Sequence, residues 1–314
     1  MMVSFRRLLV AVGIAALPVL AGCSSSSTTT PPTPTPQTLY VANSGNKTIT
    51  EYPTTATGNA APTITITGLP ANPEALAVDS AGNLYVAMPS SVEVFAPGAS
   101  GAAVPLRTIT SAPTGGGGGV AIDGGGNLWV ADFTANALKE FAPGANGAAV
   151  PTNTINVGFA GVTGPNFVTF DSHGNIYVSG QTSANVAVYA SNATGNATPA
   201  QLIVGGTTTI VLPYGLAVDS ANNLYVSDYS TKMVDVFAAG ATGNVAPTRS
   251  FTVAGVGTAY TIAINNTGLI FWDDLTNSNV NVLTAATATG TATPVTVITG
   301  AATTLNGPWG MTIH

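Results

Sequence analysis

The chain has 314 residues, a formal net charge of −6, a single Cys, and only 6% charged residues against 45% hydrophobic ones. Its few Lys and Arg are scattered, which excludes a nucleic-acid ligand, because phosphates need clustered cations. A lone Cys excludes an intramolecular disulfide, so Thr, Asn and Ser must solvate the surface and the fold must rest on packing.

Met1 to Gly22 joins a basic start (Arg6, Arg7) to an apolar run from Leu8 to Leu20. That run is shorter than a bilayer span and carries Gly13 and Pro18, so it reads as an export signal. It ends in Leu20-Ala-Gly-Cys23, which resembles the lipobox of bacterial lipoproteins. The resemblance implies a diacylglycerylated Cys23 sulfur, cleavage before it, and acylation (palmitate) of the new amino terminus. The membrane partner is then reached through Cys23, in the bacterial cell envelope. Ser24 in place of Asp points, within that resemblance, to the outer membrane. The competing reading is an ordinary signal peptide with a chance Cys. Several acyl chains on one residue anchor stably where one would not. Loss of Arg6 and Arg7 leaves 5 basic against 13 acidic residues, a net charge of about −8.

Residues 23–37 form a tether, the lipidated Cys followed by a Ser/Thr/Pro run with nothing apolar to bury. Alternating Pro holds it extended, and at about 3 Å per residue it spans roughly 40 Å.

From 38 to 314 the sequence repeats. A Gly is followed four residues later by a Pro at Gly58/Pro62, Gly101/Pro105, Gly147/Pro151, Gly195/Pro199, Gly243/Pro247 and Gly290/Pro294. Ahead of each Gly stands Tyr52, Phe95, Phe141, Tyr189, Phe237 or Leu283. A period in the forties means one supersecondary unit copied in tandem. Each unit predicts a first strand such as Ala75–Val78, a turn opened by Asp79, and a second strand, Leu84–Ala87. A third, Ser91–Phe95, and an outer strand, Leu106–Thr110, complete it. Asp accepts local backbone bonds in such turns, and Gly or Asn tolerates positive φ.

First strands end at Asp79, Asp123, Asp171, Asp219, Asn265 and His314; second strands begin at Leu39, Leu84, Leu128, Ile176, Leu224 and Ile270. The first two strands are apolar on both faces, so every sheet must be covered by copies of itself. The fold class expected is all-β, a six-bladed β-propeller of four-stranded antiparallel blades. Pairing of the orphan strands at Leu39 and Trp309 closes the ring and removes open edges.

Pro213-Tyr-Gly-Leu-Ala-Val-Asp219 followed by Asn223-Leu-Tyr-Val-Ser-Asp228 resembles the NHL-repeat family of six-bladed propellers, and the resemblance covers Leu39 to His314. It implies the fold and says little of activity, because that architecture carries lyases, lactonases and binding modules alike.

The acidic residues sort by repeat position. Asp79, Asp123, Asp171 and Asp219 belong to the turn after strand one, and Asp132, Asp228 and Asp274 to the end of strand two. Glu51, Glu93, Glu140 and Asp235 fall in strand three and are expected on a solvated rim face. Glu74 and Asp273 are left over. Glu74 precedes a first strand, where the chain enters the central channel; its equivalents are Gly118, Asn166, Tyr214, Tyr260 and Trp309. Scaffold positions repeat and this one does not. A carboxylate, an amide and three aromatics around one opening predict a shallow ligand pocket lined by Glu74, Asn166, Tyr214, Tyr260 and Trp309. Against it stands the reading that these side chains plug the channel or vary freely as loop ends.

Catalysis has less to draw on. Lactonase-type propellers hold a divalent cation with channel carboxylates, and one Glu with one Asn is too few for a Ca²⁺ shell of 6–8 oxygens. Lyase-type propellers depend on channel His, whereas His173 sits in a turn and His314 ends the chain. Gly115 to Gly119 lacks the Lys and helix of a phosphate cradle. The function expected is a lipid-anchored, monomeric binding or interaction module without a cofactor, for a small molecule, glycan or protein. The alternative is a lactonase or lyase-type enzyme at the channel mouth, with Ca²⁺ possible.

Overall fold

The computed structural model of the chain describes residues 36–115 and 118–314. The export segment, Cys23 and the tether up to Thr35 lie outside the described residues, as do Gly116 and Gly117.

Strands apolar on both faces must be covered twice, and six sheets arranged as blades of a ring achieve this. Blade 2 sets the pattern: inner strand Ala75–Val78, then Leu84–Met88, Ser91–Phe95 and outer strand Arg107–Ile109, bonded in that order. Blades 3 to 6 begin with inner strands Val120–Ile122, Pro165–Phe170, Pro213–Val218 and Ile262–Ile264. Blade 1 is composite. Its inner strand is Pro308–Ile313, and its others are Thr38–Asn43, Thr48–Pro53 and Ile64–Ile66. Leu39 lies opposite Ile313 and Val41 opposite Met311. Thr38 N–H donates to the His314 carbonyl at 2.7 Å, and His314 N–H returns a bond at 3.0 Å. The expected closure by orphan strands is therefore observed.

The core lies between blades. Blades 2 and 3 share one cluster in which Tyr85, Val94 and Ile109 meet Val130 and Phe141. The third-strand aromatics are at most 1% exposed (Tyr52, Phe95, Phe141, Tyr189, Phe237), as is Leu283 in the sixth copy. Each brings a large apolar area to the seam between its blade and a neighbour.

Turn chemistry follows the sequence closely. One oxygen of Asp123 accepts the N–H groups of Gly125 and Asn127, and the other accepts Asn127 Nδ2 and Trp129 Nε1, all within 2.8–3.0 Å. Asp79, Asp171 and Asp219 repeat this with Tyr85, Tyr177 and Tyr225 in the place of Trp129. The strand-two group braces turns as well: Asp228 accepts Ser230 and Thr231 on one oxygen, Val211 and Leu212 on the other.

The Gly/Pro connector does more than the loop the sequence suggests. Gly101, Gly147, Gly195 and Gly243 each form a parallel bridge with the outer strand of the preceding blade, at Ile66, Ile109, Ile155 and Ile203. Gly58 meets Ile298 likewise, and Gly290 opens a short strand, Gly290–Ala292, that pairs with Phe251. Every outer strand thus has its open edge covered by the next blade.

The strand-three carboxylates correct an expectation. Glu51 and Glu93 are 8% exposed and Asp235 is 1% exposed, so they face neighbouring blades and not a solvated rim. The reason is geometric: third strands are sandwiched over most of their length, so a polar letter there does not mark the outside. Asp235 accepts bonds from Thr209 at 2.8 Å and from Ser250. Burial pushes Glu51 up to about 7 and raises Glu93.

Candidate functional site

Six inner strands surround a channel cavity of about 280 Å³. Leu76, Val120, Val168, Leu216, Ile262 and Met311 line it with their strand neighbours, and no Asp, Glu, His, Lys or Arg contributes. Inner strands are sheet edges there, so main-chain polar groups face the channel, with Thr169 and Thr312 the polar side chains in its lining. The larger set of side-chain groups stands at the mouth, where the strands begin.

At that level the backbone is irregular in blade after blade. In blades 4, 5 and 1 the pairing slips between Pro165 and Val168, between Pro213 and Leu216, and beside Pro308. A bulge re-aims the side chain that it carries, here Asn166, Tyr214 and Trp309. In blade 6 the strand starts only at Ile262, leaving Tyr260 just ahead of it.

Close approach of neighbouring blades then gathers these side chains. Gly215 N–H donates to the Tyr260 carbonyl at 2.9 Å, and a Cβ at Gly215 would lie 2.6 Å from that oxygen. The Tyr214 and Tyr260 rings consequently meet edge-on, centroids 4.8 Å apart. Tyr260 is the hub. It stacks on Trp309 at 4.9 Å and 16°, and on Tyr229 at 5.3 Å and 28°. Tyr229 also touches Tyr214 at 5.6 Å.

Polar groups continue from the rings. Gln181 Nε2 donates to the Tyr214 hydroxyl at 3.0 Å, and Asn166 Nδ2 donates to Gln181 Oε1 at 2.6 Å. Burial raises the Tyr214 and Tyr260 hydroxyls above their ordinary range, so both remain protonated donors at neutral pH.

The structure therefore brings together Asn166, Tyr214, Tyr260 and Trp309 and joins Glu74 to them only through the backbone. Gly310 packs on the Glu74 carbonyl, a Cβ there falling 2.6 Å from it. The Glu74 side chain turns to the blade 3 side, where Thr114 Oγ1 donates to its carboxylate at 2.7 Å. Burial raises the Glu74 carboxyl, with the Thr114 bond opposing.

Tyr229 and Gln181 were not among the residues expected. Both follow strand two, at the position filled elsewhere by Ser44, Pro89, Phe133 and Leu275. That position also varies from blade to blade, so the variation that singled out Glu74 and its equivalents was present here too. Asp273 is explained as a support for the hub: it accepts Tyr260 N–H at 2.7 Å, Thr261 N–H at 3.0 Å and Thr261 Oγ1 at 2.8 Å. Burial pushes its carboxyl up to about 8 against the pull of those donors. In the neighbouring blade Ser179 Oγ holds the Tyr214 carbonyl at 2.8 Å.

Among the described residues no three His, Cys, Asp or Glu side chains gather to hold a metal ion. His173 and His314 are both exposed.

The fold defines a class, the six-bladed β-propeller of four-stranded antiparallel blades. No known family profile and no curated protein matches the chain. Solved structures do match it in fold. A protein of unknown function from Bacteroides caccae has a TM-score of 0.57 at 13% identity, covering 89% of this chain and 99% of its own. A chain of the nidogen/laminin complex has a TM-score of 0.61 at 17% identity, over 88% and 98%. A streptogramin B lyase has a TM-score of 0.51 at 10% identity, over 71% and 70%.

Proposed function

We propose that this chain is an exported, NHL-like lipoprotein, held to the bacterial envelope through Cys23 with the outer membrane as its address. It acts there as a monomeric binding module and takes its ligand at the channel mouth. The observation that carries this reading is the contiguous cluster Tyr214–Tyr229–Tyr260–Trp309, continued by Gln181 and Asn166. Four large rings left partly in water at one end of the channel are a costly arrangement for a scaffold and a useful one for recognition. Asn166 supports Gln181 at its border, while the Glu74 carboxylate is turned to Thr114.

A lactonase or lyase-type reaction would ask for an acid–base pair or a cation shell at this place. Two carboxylates stand near this place, and both are engaged: Glu74 by Thr114, and Asp273 by Tyr260 and Thr261. The likeness to a lyase is one of fold at 10% identity.

The test is a thermal-shift screen of the full chain in mild detergent against small molecules, oligosaccharides and peptides. Compounds that stabilise the parent should lose that effect in Tyr214→Ala and Tyr229→Ala. Compounds that stabilise the variants equally would move the site elsewhere.

A further inference from the structure

Resting on the mouth as the binding site, we infer that its ligand is a neutral saccharide, stacked on the Tyr229–Tyr260–Trp309 surface and hydrogen-bonded by Gln181 and the tyrosine hydroxyls. Ring geometry separates this from the other ligand that aromatic clusters suit, a quaternary ammonium ion. A cation held between aromatic faces sits within about 6 Å of each centroid, so facing rings must stand well apart. Here Tyr260 and Trp309 lie 4.9 Å apart and nearly parallel, and Tyr260 and Tyr229 5.3 Å apart. The rings fill the space a cation would need: Tyr260 is stacked by both neighbours, and the outer ring of the pile, Tyr229 at 37% exposure, is left as a platform instead of a cage.

A platform suits the C–H face of a pyranose, which is apolar and flat, while hydroxyls around its rim need groups that both donate and accept. The amide of Gln181 and the hydroxyls of Tyr214, Tyr229 and Tyr260 are of that kind. Tyr229 is 37% exposed, and Tyr214, Tyr260, Trp309 and Gln181 are half-buried, so a ligand reaches them without rearrangement. No Lys or Arg is within this hydrogen-bonded group, and the chain carries excess negative charge. An anionic sugar would be repelled and a neutral one admitted.

Trp309 supplies a reporter. The other two of the 3 Trp, Trp129 and Trp272, are 3% and 0% exposed, so solvent quenching acts on Trp309 alone. The experiment measures acrylamide quenching of the full chain in detergent during titration with neutral tetrasaccharides of glucose and of N-acetylglucosamine. Choline and a Thr/Pro decapeptide serve as comparison probes. Protection of Trp309 by a saccharide, with affinity about tenfold weaker in Tyr229→Ala, supports the inference; that variant leaves the closing strand untouched. Calorimetry on Tyr260→Ala should show the same loss, and Phe159→Ser, on an exposed site elsewhere, should show none. Protection by choline or the peptide but by no saccharide overturns the saccharide while keeping the mouth. Saccharide binding that survives both Tyr variants overturns the mouth as well.

Discussion

Gly147, in the third blade's connector, lies beside Ile109 of the second blade's outer strand. Its N–H donates to Thr108 O at 2.8 Å and its carbonyl accepts Thr110 N–H at 2.8 Å. Gly147 holds φ at +58°, and a Cβ there would meet nothing within 4 Å. Glycine is needed for backbone conformation alone, since an L-residue in the left-handed region costs about 1–2 kcal/mol. Gly147→Ala should lower stability by that amount in urea titration. Gly124→Ala, equally open but at ordinary φ, should be neutral. Equal effects from the two would deny the connector its role.

Ring closure gives a second prediction. Deleting Trp309 to His314 removes most of the inner strand paired along Leu39–Ala42, takes Met311 out of its cluster and exposes Leu39 and Val41. The shortened chain should lose its single cooperative melting transition in calorimetry. A parental transition would mean that the remaining strands suffice.

Titration gives a third. Asp79, Asp123 and Asp171 are held below the ordinary carboxylate range: burial opposes this, but the Asn side-chain and backbone donors outweigh it. A depressed carboxyl stabilises above its unfolded value, 3.8, and that contribution is lost as pH falls further. Burial acts in the opposite sense on Glu51, pushed up to about 7, and raises Glu74, Glu93 and Glu140. These favour the fold below 4.5, and the benefit is lost as pH rises through their raised values, about 7 for Glu51. Stability should therefore peak at about pH 4–5 and decline on either side. Glu51→Gln should match the parent at pH 4 and exceed it at pH 8 by about 1–2 kcal/mol, allowing for solvent screening.

The aromatic hub depends on two supports. Gly215→Ala would drive a methyl into the Tyr260 carbonyl, at about 1–3 kcal/mol for overpacking, and should separate the Tyr214 and Tyr260 rings. Asp273→Ala leaves the Tyr260 and Thr261 N–H groups without their acceptor, at about 1–3 kcal/mol. Both should weaken whatever the mouth binds, read by calorimetry on variants that retain the parental circular dichroism. Undiminished binding in both would detach the rings from recognition.

Strand limits were legible because period-two apolar runs meet turn residues with fixed offsets: Ser91–Phe95 is observed as expected, and Asp123 accepts the bonds its turn demands. The parallel contact of Gly147 was not legible. It is made by main-chain atoms, and a loop glycine looks alike whether or not it pairs. Glu51 misled because charge was read as exposure, while the neighbouring blade covers it. At the mouth, Tyr214, Tyr260 and Trp309 were visible as letters that fail to repeat. Tyr229 escaped because it sits on another strand end, and only the folded ring brings it to Tyr260.

The closing pair Thr38–His314 lies at one end of its blade and Trp309 at the other, five strand steps or roughly 17 Å apart. One strand, Pro308–Ile313, thus serves both the closure of the ring and its mouth, so that whatever loads Trp309 also braces the seam.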